Sequence, residues 1–230
     1  LARDGECLPL AVIGTAEPLP IAYRLPVPSA QVKSAVLLAA LNTPGESSVI
    51  ESAPSRDHSE RLLAARGARI RIEEAAGERV VSLAGECEIE PGDLEVPGDP
   101  SAAAFGLVAG LAAGSKVRVD NLCLNPLRIG LFTCLEEMGA GLTVEETGRA
   151  GGEPVGSVSL VGGSLRGIEV PPERAPAMID EFPILAVAAA IAEGTTTMRG
   201  LEELRVKESD RLSAIAAGLA AVGVAVEELP

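Results

Sequence analysis

Residues 102–120 have the sequence AAAFGLVAGLAAGSKVRVD, and the pattern of this stretch sets the architecture of the chain. A run of small apolar residues ends at Gly114, and an alternating segment, Lys116–Asp120, follows it. A run that is apolar on nearly every side indicates a buried helix, whereas alternation indicates a strand with one face in water. The stretch therefore predicts a buried helix followed by a half-buried strand.

The same pattern occurs three times along the chain. The apolar runs are Ser34–Leu41 before Gly45, Ala102–Ala113 before Gly114, and Ile184–Ala192 before Gly194. The alternating segments that follow are Ser48–Glu51, Lys116–Asp120 and Thr195–Arg199. Each is followed by an amphipathic helix ending at a glycine, Gly67, Gly139 or Gly223, as expected for a left-handed helix terminus. Strands are predicted next at Ile70–Ile72, Leu142–Val144 and Val224–Val226, with further strands at Val80–Leu83 and Val158–Val161.

These repeats predict an α/β (α+β) fold built from βαβαββ units, with helices inside and sheets outside. A stretch containing proline and glycine, Glu95–Asp99, separates a finished unit from a fresh one, which is typical of a domain boundary. We therefore expect two lobes, one from residues 1–96 and one from residues 97–230, with the boundary near Val96.

Composition excludes several classes of function. The chain has 230 residues, 47% of them hydrophobic, and a formal net charge of -14. That charge repels a phosphate backbone, and few aromatic rings are present for base stacking, so nucleic acid is a poor candidate partner. No apolar stretch is long enough to span a bilayer.

The cysteines and the single histidine are widely spaced. Cys7, Cys87, Cys123 and Cys134 form no CxxC pair, and His58 is the only histidine, so the sequence indicates neither a zinc site nor a disulfide framework. We expect reduced cysteines in a cytoplasmic protein. Leu1 follows no charged leader and opens no signal-peptide pattern, so we expect the chain to begin within a domain.

Three short segments carry candidate site residues. Ser29 opens the first apolar helix, where it serves either as an N-cap or as part of an anion site made by free backbone N–H groups. Asp180 and Glu181 precede the third apolar helix, and because one carboxylate suffices for capping, we expect the other to face a cleft. Asp99, which lacks a second acid, is interpreted as a structural cap.

The third segment is LRVKESDRL, residues 204–212. If it is helical, Glu208 projects onto the apolar stripe of Leu212, Ile215, Leu219 and Val222, and so points toward the protein. The alternative is a first-turn glutamate stabilised by the helix dipole. In the segment SRDH, residues 55–58, Asp57 is predicted to cap the second helix and His58 to be solvated.

The sequence RVKESDR at residues 205–211 and the segment SAQVKS at residues 29–34 resemble the EPSP synthases, or 3-phosphoshikimate 1-carboxyvinyltransferases. The resemblance covers essentially the whole chain. It implies the inside-out α/β barrel lobes of the enolpyruvyl transferases, and transfer of an enolpyruvyl group from phosphoenolpyruvate to shikimate 3-phosphate. It implies no metal or organic cofactor, two small anionic substrates as partners, and a monomer in the full-length form.

The resemblance also implies residue roles. The residues matching the shikimate 3-phosphate site are Ser29, Ala30, Gln31, Arg56, Asp180 and Lys207. Those matching the phosphoenolpyruvate site are Gln31, Glu208 and Arg211, and the matching catalytic carboxylates are Asp180 and Glu208. Family members are much longer, and several of their site residues have no counterpart here, so we expect these 230 residues to be inactive alone.

Two other functions fit parts of the pattern. One is the sister enzyme that transfers enolpyruvyl to a UDP-amino sugar (UDP-N-acetylglucosamine), which uses a reactive cysteine loop that is not visible in this sequence. The other is a non-catalytic repeat module used for assembly, which explains the repeats but not the combination of Lys207, Glu208 and Arg211.

Overall fold

The first repeat unit forms the complete βαβαββ arrangement. The structure is a computed structural model that describes residues 11–75 and 77–229. The elements are β1 (Ala22–Arg24), α1 (Ala30–Ala40), β2 (Glu46–Glu51), α2 (His58–Ala65), β3 (Ile70–Ala75) and β4 (Glu78–Ala84). The strands form one sheet in the order β1-β2-β4-β3, in which β1 is parallel to β2 and the other pairs are antiparallel. The predicted unit is therefore confirmed.

The second unit repeats this topology with a reduced first strand. Its elements are α3 (Pro100–Ala112), β5 (Lys116–Cys123), α4 (Gly130–Glu137), β6 (Gly141–Ala150) and β7 (Glu153–Val161). The sheet order is β5-β7-β6. A single parallel bridge between Gly98 and Leu122 stands where β1 pairs with β2 in the first unit.

The third unit is shorter than predicted. Its elements are β8 (Glu169–Val170), α5 (Phe182–Ala190), β9 (Thr197–Met198) and α6 (Arg211–Ala221), with β8 parallel to β9. Three 3-10 helices lie between them, at Pro172–Ala177, Ile179–Glu181 and Glu202–Val206. The predicted strand Val224–Val226 is wrong, because residues 224–229 have no regular structure and no described strand pairs with them.

The glycines predicted to end the second helix of each unit do so. Gly67, Gly139 and Gly223 lie two residues beyond α2, α4 and α6, with φ angles of 88°, 96° and 84°. Only glycine adopts these angles without strain, so the position ends the helix and turns the chain.

All-round burial of the first helices is not found: α5 comes nearest to it, but its Val187 is 41% exposed. Phe182, Ile184, Leu185, Ala186 and Ala188 of α5 are buried. The prediction is wrong for α1 and α3, where Leu38 is 54% and Phe105 57% exposed. The outward faces of these two helices have no packing partner within residues 11–75 and 77–229, which accounts for the difference.

Buried apolar residues form two separate clusters. One draws on residues 25–83 and includes Leu37, Val49 and Val81; the other draws on residues 104–204. Between them, residues 87–97 have no regular structure, and Val96 is 73% exposed. The lobe boundary near Val96 stays a prediction, and this separation of the cores supports it. Among the described helices, none combines the length and apolar character needed to cross a bilayer.

Candidate functional site

The side chain of Asp180 lies between two arginines from distant parts of the chain. Arg56 Nη2 donates to Asp180 Oδ2 across 2.7 Å, and Arg211 Nη1 donates to Asp180 Oδ1 across 3.2 Å. Arg56 immediately precedes the N-cap of α2, Asp180 lies just before α5, and Arg211 is the first residue of α6. The fold thus gathers three sequence-predicted site residues, each from a helix start.

Glu208 is the fourth member of this group. Arg211 donates to its carboxylate from Nε and Nη2, at 2.8 and 2.9 Å, in the two-pronged geometry that favours arginine as a carboxylate or phosphate ligand. We call Arg56, Asp180, Glu208 and Arg211 the arginine–carboxylate cluster. It balances two cations against two anions.

The predicted orientation of Glu208 is wrong. Its side chain is 68% exposed and is directed at Arg211, not at the apolar stripe of the helix. The reason is that α6 begins only at Arg211, because Asp210 caps it by accepting from Ser213 N at 3.0 Å. Residues 207–210 are therefore outside the helix, and helical angles do not apply to them. Val222, which was predicted to belong to the apolar stripe, is exposed as well.

The arginines lower the pKa of both carboxylates. Burial opposes ionisation of Asp180, but hydrogen bonds and charges from Arg56 and Arg211 outweigh it and lower the Asp180 pKa. The hydrogen bonds from Arg211 lower the pKa of Glu208 as well. While the cluster is intact, both carboxylates are therefore weaker bases than ordinary aspartate or glutamate side chains.

The other predicted site residues make their contacts elsewhere in the described structure. Ser29 caps α1 by accepting from Val32 N at 3.4 Å, so its interpretation as an N-cap is confirmed. Gln31 is exposed on the first turn of α1 and Ala30 is half-buried beside it. Lys207 pairs with Glu203 in the preceding 3-10 helix. Within the described ranges, no ion pair or hydrogen bond joins these side chains to the arginine–carboxylate cluster.

A buried lysine supports the segment that carries Arg56. Lys33 Nζ lies 3.0 Å from Glu51 Oε2 and 2.7 Å from Glu60 Oε1, and it donates to the backbone oxygen of Ser55 at 3.4 Å. The three charged side chains are almost fully buried. Because these bonds join α1, the end of β2 and α2, they fix the loop in which Arg56 sits.

A second polar network joins the start of α2 to the second unit. Asn125 Nδ2 donates to Asp57 Oδ1 at 2.7 Å and to Glu153 Oε2 at 2.9 Å, and His58 Nδ1 lies 2.6 Å from Glu153 Oε1. The predictions for this segment are wrong in two respects. Asp57 occupies the N-cap position, but its carboxylate accepts hydrogen bonds from Asn125 and Arg61 and none from the helix N–H groups. His58 is half-buried and bonded, not solvated.

Asp180 and Glu181 have different environments. Glu181 is buried, accepts from Ser101 Oγ, and lies 3.6 Å from Arg128 Nη2. Burial raises the Glu181 pKa, whereas that of Asp180 is lowered. Neither side chain caps α5. The structural role predicted for Asp99 is confirmed, since it accepts from Ser101 N at 3.1 Å.

Sequence reasoning missed the residues that support the site. These residues are Lys33, Glu51, Asn125 and Glu153, whose partners lie far away along the chain. Lysine within an apolar helix was the one available signal, because a charge there needs a buried partner. Three described side chains also offer metal-ligand atoms within 4.8 Å of one another: His58, Cys123 and Glu153.

Comparison with known proteins gives a consistent family. The family model described as EPSP synthase (3-phosphoshikimate 1-carboxyvinyltransferase) matches residues 2–230. The 3-phosphoshikimate 1-carboxyvinyltransferase of Paramagnetospirillum magneticum is 56% identical over 230 residues, covering 99% of this chain and 52% of the relative. The enzyme of the same name from Granulibacter bethesdensis is 58% identical over 229 residues, covering 98% and 50%. The chain thus spans about half the length of these relatives.

Solved structures agree with this comparison. An EPSP synthase structure from Acinetobacter baumannii superposes with a TM-score of 0.78 at 44% identity, covering 89% of this chain and 45% of that one. The enolpyruvyl transferase NikO from Streptomyces tendae has a TM-score of 0.61 at 21% identity, covering 80% and 45%, and shows a shared fold. The predicted enolpyruvyl transferase-like architecture is confirmed.

Proposed function

The chain belongs to the EPSP synthase family, and on that premise we propose that it serves the transfer of the 1-carboxyvinyl group from phosphoenolpyruvate to the 5-hydroxyl of shikimate 3-phosphate. The observation that carries the proposal is Asp180 held between Arg56 and Arg211. Two guanidinium groups and two carboxylates at one place suit a reaction that brings together two anions and moves protons between them.

The arginines have a double role in this proposal. Without substrate they are neutralised by Asp180 and Glu208, at distances of 2.7 to 3.2 Å. The phosphate of shikimate 3-phosphate binds Arg56, and phosphoenolpyruvate binds Arg211. Both substrates displace the carboxylates from the arginines, because each carries more negative charge than one carboxylate. Lys207 joins Arg56 on the shikimate phosphate, and the start of α1 at Ser29, Ala30 and Gln31 supplies N–H donors and polar contacts.

Loss of the arginines changes the carboxylates into better bases. Because Arg56 and Arg211 hold the Asp180 pKa low, their transfer to substrate anions raises it toward the ordinary value. Asp180 then accepts the proton of the 5-hydroxyl of shikimate 3-phosphate, while the oxygen of that hydroxyl attacks C2 of phosphoenolpyruvate. Glu208, released from Arg211 in the same way, exchanges the proton at C3.

The reaction balances without a cofactor. A C–O bond forms at C2 while C3 gains a proton; the C2–phosphate bond then breaks, C3 loses a proton, and the enolpyruvyl ether and inorganic phosphate remain. Gln31 lies near both substrates in this proposal. A cytoplasmic location and a monomeric full-length protein stay predictions.

Calorimetric titration with shikimate 3-phosphate tests the proposal. We expect saturable binding that weakens about tenfold or more in Arg56→Gln, because a charge-assisted hydrogen bond contributes about 1.5–3 kcal/mol. Arg118→Gln is the matched control: it removes the same charge from an arginine on β5 that pairs only with Asp120 and Glu145 among the described residues. Absence of binding to a chain that circular dichroism shows to be folded, or equal losses in the two variants, would contradict the proposed site. A non-catalytic module used for assembly would not bind shikimate 3-phosphate.

A further inference from the structure

Three side chains from different elements meet beside a cavity at the junction of the predicted lobes. His58 is the first residue of α2, Cys123 is the last of β5, and Glu153 is the first of β7. One ligand atom from each lies within 4.8 Å of the other two. Cys123 and Glu153 are buried, and the His58 side chain is 40% exposed.

We propose that His58, Cys123 and Glu153 bind a divalent transition-metal ion of the zinc class. The donor set is one imidazole nitrogen, one thiolate and one carboxylate, which are the three ligand types that Zn²⁺ prefers. The sequence expectation of no zinc site rested on spacing along the chain, whereas these residues come together only in the fold. The proposal is independent of the function proposed above.

Two of the measured distances are within about 1 Å of those in a tetrahedral site. With zinc–ligand bonds of about 2.0–2.3 Å, tetrahedral ligand atoms lie about 3.4–3.6 Å apart. His58 Nδ1 and Glu153 Oε1 are 2.6 Å apart, and Cys123 Sγ and Glu153 Oε2 are 3.8 Å apart. The two separations involve different oxygens of Glu153, so an ion bound through one of them needs a rotation of this carboxylate as well as a shift of His58 or Cys123.

The surroundings provide the other parts of such a site. All three residues line a cavity of about 320 Å³, which has space for a water molecule as fourth ligand. Asn125 donates to Glu153 Oε2 at 2.9 Å and so orients the carboxylate, as outer partners of metal ligands do. The second ring nitrogen of His58, Nε2, is buried and has no hydrogen-bond partner among the described residues, so the outer partner that metal-bound histidines usually have is missing there.

Charge is the main opposing factor. Arg61 Nε lies 3.7 Å from Glu153 Oε2, and Arg128 also lines the cavity. Each has a closer anionic partner, however: Arg61 pairs with Asp57 at 2.8 Å and Arg128 with Asp99 at 2.8 Å. Binding displaces the thiol proton of Cys123, and the thiolate with Glu153 then supplies two negative charges to balance the ion.

A bound ion would tie α2 to the sheet of the second unit. His58 is two residues from Arg56, which contacts Asp180 in the arginine–carboxylate cluster. The ion would therefore fix the start of α2, and Arg56 with it, relative to β5 and β7. Thermal stability of the chain would rise with the concentration of the ion, since the ligands come together only in the folded state.

Titration with Co²⁺ and Zn²⁺ tests this site. We expect one Co²⁺ per chain, with a thiolate-to-cobalt charge-transfer band in the near ultraviolet that Zn²⁺ removes. Cys123→Ser should lose the band, and His58→Gln should weaken Zn²⁺ affinity by at least about tenfold. Cys87→Ser is the matched control, because it removes a thiol outside the group and should leave both measurements unchanged.

The outcomes separate the site from adventitious binding. Circular dichroism of each variant shows that it is folded, and His58→Gln, at a half-exposed position, tests the site if Cys123→Ser unfolds. A band that persists in Cys123→Ser, equal losses in Cys87→Ser, or no stoichiometric binding to the folded chain would overturn the proposal. A rise in melting temperature with Zn²⁺ that His58→Gln abolishes would support it.

Discussion

Lys33 Nζ lies 2.7 Å from Glu60 Oε1, and both side chains are almost completely removed from water. Glu51 is the second buried anion on the same ammonium group, at 3.0 Å. Two carboxylates thus share one cation within the first repeat unit, beside the cluster of buried apolar residues drawn from residues 25–83. Buried pairs of this kind contribute modestly as intact units, but removing one partner leaves an uncompensated charge.

We therefore predict that Lys33→Met lowers the free energy of unfolding by about 3–5 kcal/mol. Urea denaturation followed by circular dichroism measures it. Lys116→Met, at an exposed position on β5, is the control and should change the free energy by no more than about 0.5 kcal/mol. A loss below about 1 kcal/mol in Lys33→Met would show that water reaches the two glutamates in solution.

The buried carboxyl of Glu181 predicts a pH dependence of stability. Burial raises its pKa above the ordinary value, so the folded chain binds this proton more tightly than the unfolded chain does. The free energy of unfolding should therefore fall as pH rises from the ordinary pKa through the folded one. Glu181→Gln removes this contribution and flattens the profile.

Urea denaturation in steps from about pH 4 to about pH 8 measures the profile. Glu88→Gln removes a carboxyl at an exposed position and should keep the wild-type slope. If Glu181→Gln keeps that slope too, Glu181 is not the group responsible.

Arg56 and Asp180 should be energetically coupled. Their ion pair spans 2.7 Å but leaves about a third of the Asp180 side chain exposed, so we expect a modest coupling of about 0.5–1 kcal/mol. A double-mutant cycle with Arg56→Gln and Asp180→Asn isolates it at low salt. The coupling should shrink at higher ionic strength, since water reaches the pair. Strict additivity at low salt would mean that the pair is not formed in solution.

Two glycines should respond to alanine in opposite directions. A Cβ at Gly106, in the exposed part of α3, meets nothing within 4 Å, so Gly106→Ala should stabilise the chain by about 0.5–1 kcal/mol. A Cβ at Gly85 would lie 1.8 Å from the backbone oxygen of Thr43, so Gly85→Ala should destabilise by about 1–3 kcal/mol. Melting temperatures of the two variants measure the contrast, and a shared direction would contradict it.

The repeat architecture was predictable because its signals are local. An apolar run, a glycine, an alternating segment and a second glycine each specify structure within a few residues, and Gly67 and Gly139 end their helices as the pattern predicts. The strand predicted at Val224–Val226 failed because a strand also needs a partner. The pattern specifies its alternation but not the chain that pairs with it.

Four of the predicted site residues, Arg56, Asp180, Glu208 and Arg211, lie together in the fold, but their contacts were not predictable. Lys33 and Glu51 are 18 positions apart, and Asn125 and Asp57 are 68 apart, so their bonds depend on tertiary structure. The orientation of Glu208 depends on local sequence. Asp210 is a strong N-cap residue, so it indicates that the helix begins after Glu208.

The three sheets have a consequence for local opening. Each is formed within one repeat unit, and among the described residues no strand pairs with a strand of another unit. Breaking the amide–carbonyl ladder of one unit therefore breaks none in its neighbours. In amide hydrogen exchange, the protons of β2 and β4 would form one protected group and those of β5, β6 and β7 another, each with its own opening free energy. The two-residue ladder of β8 and β9 would exchange first.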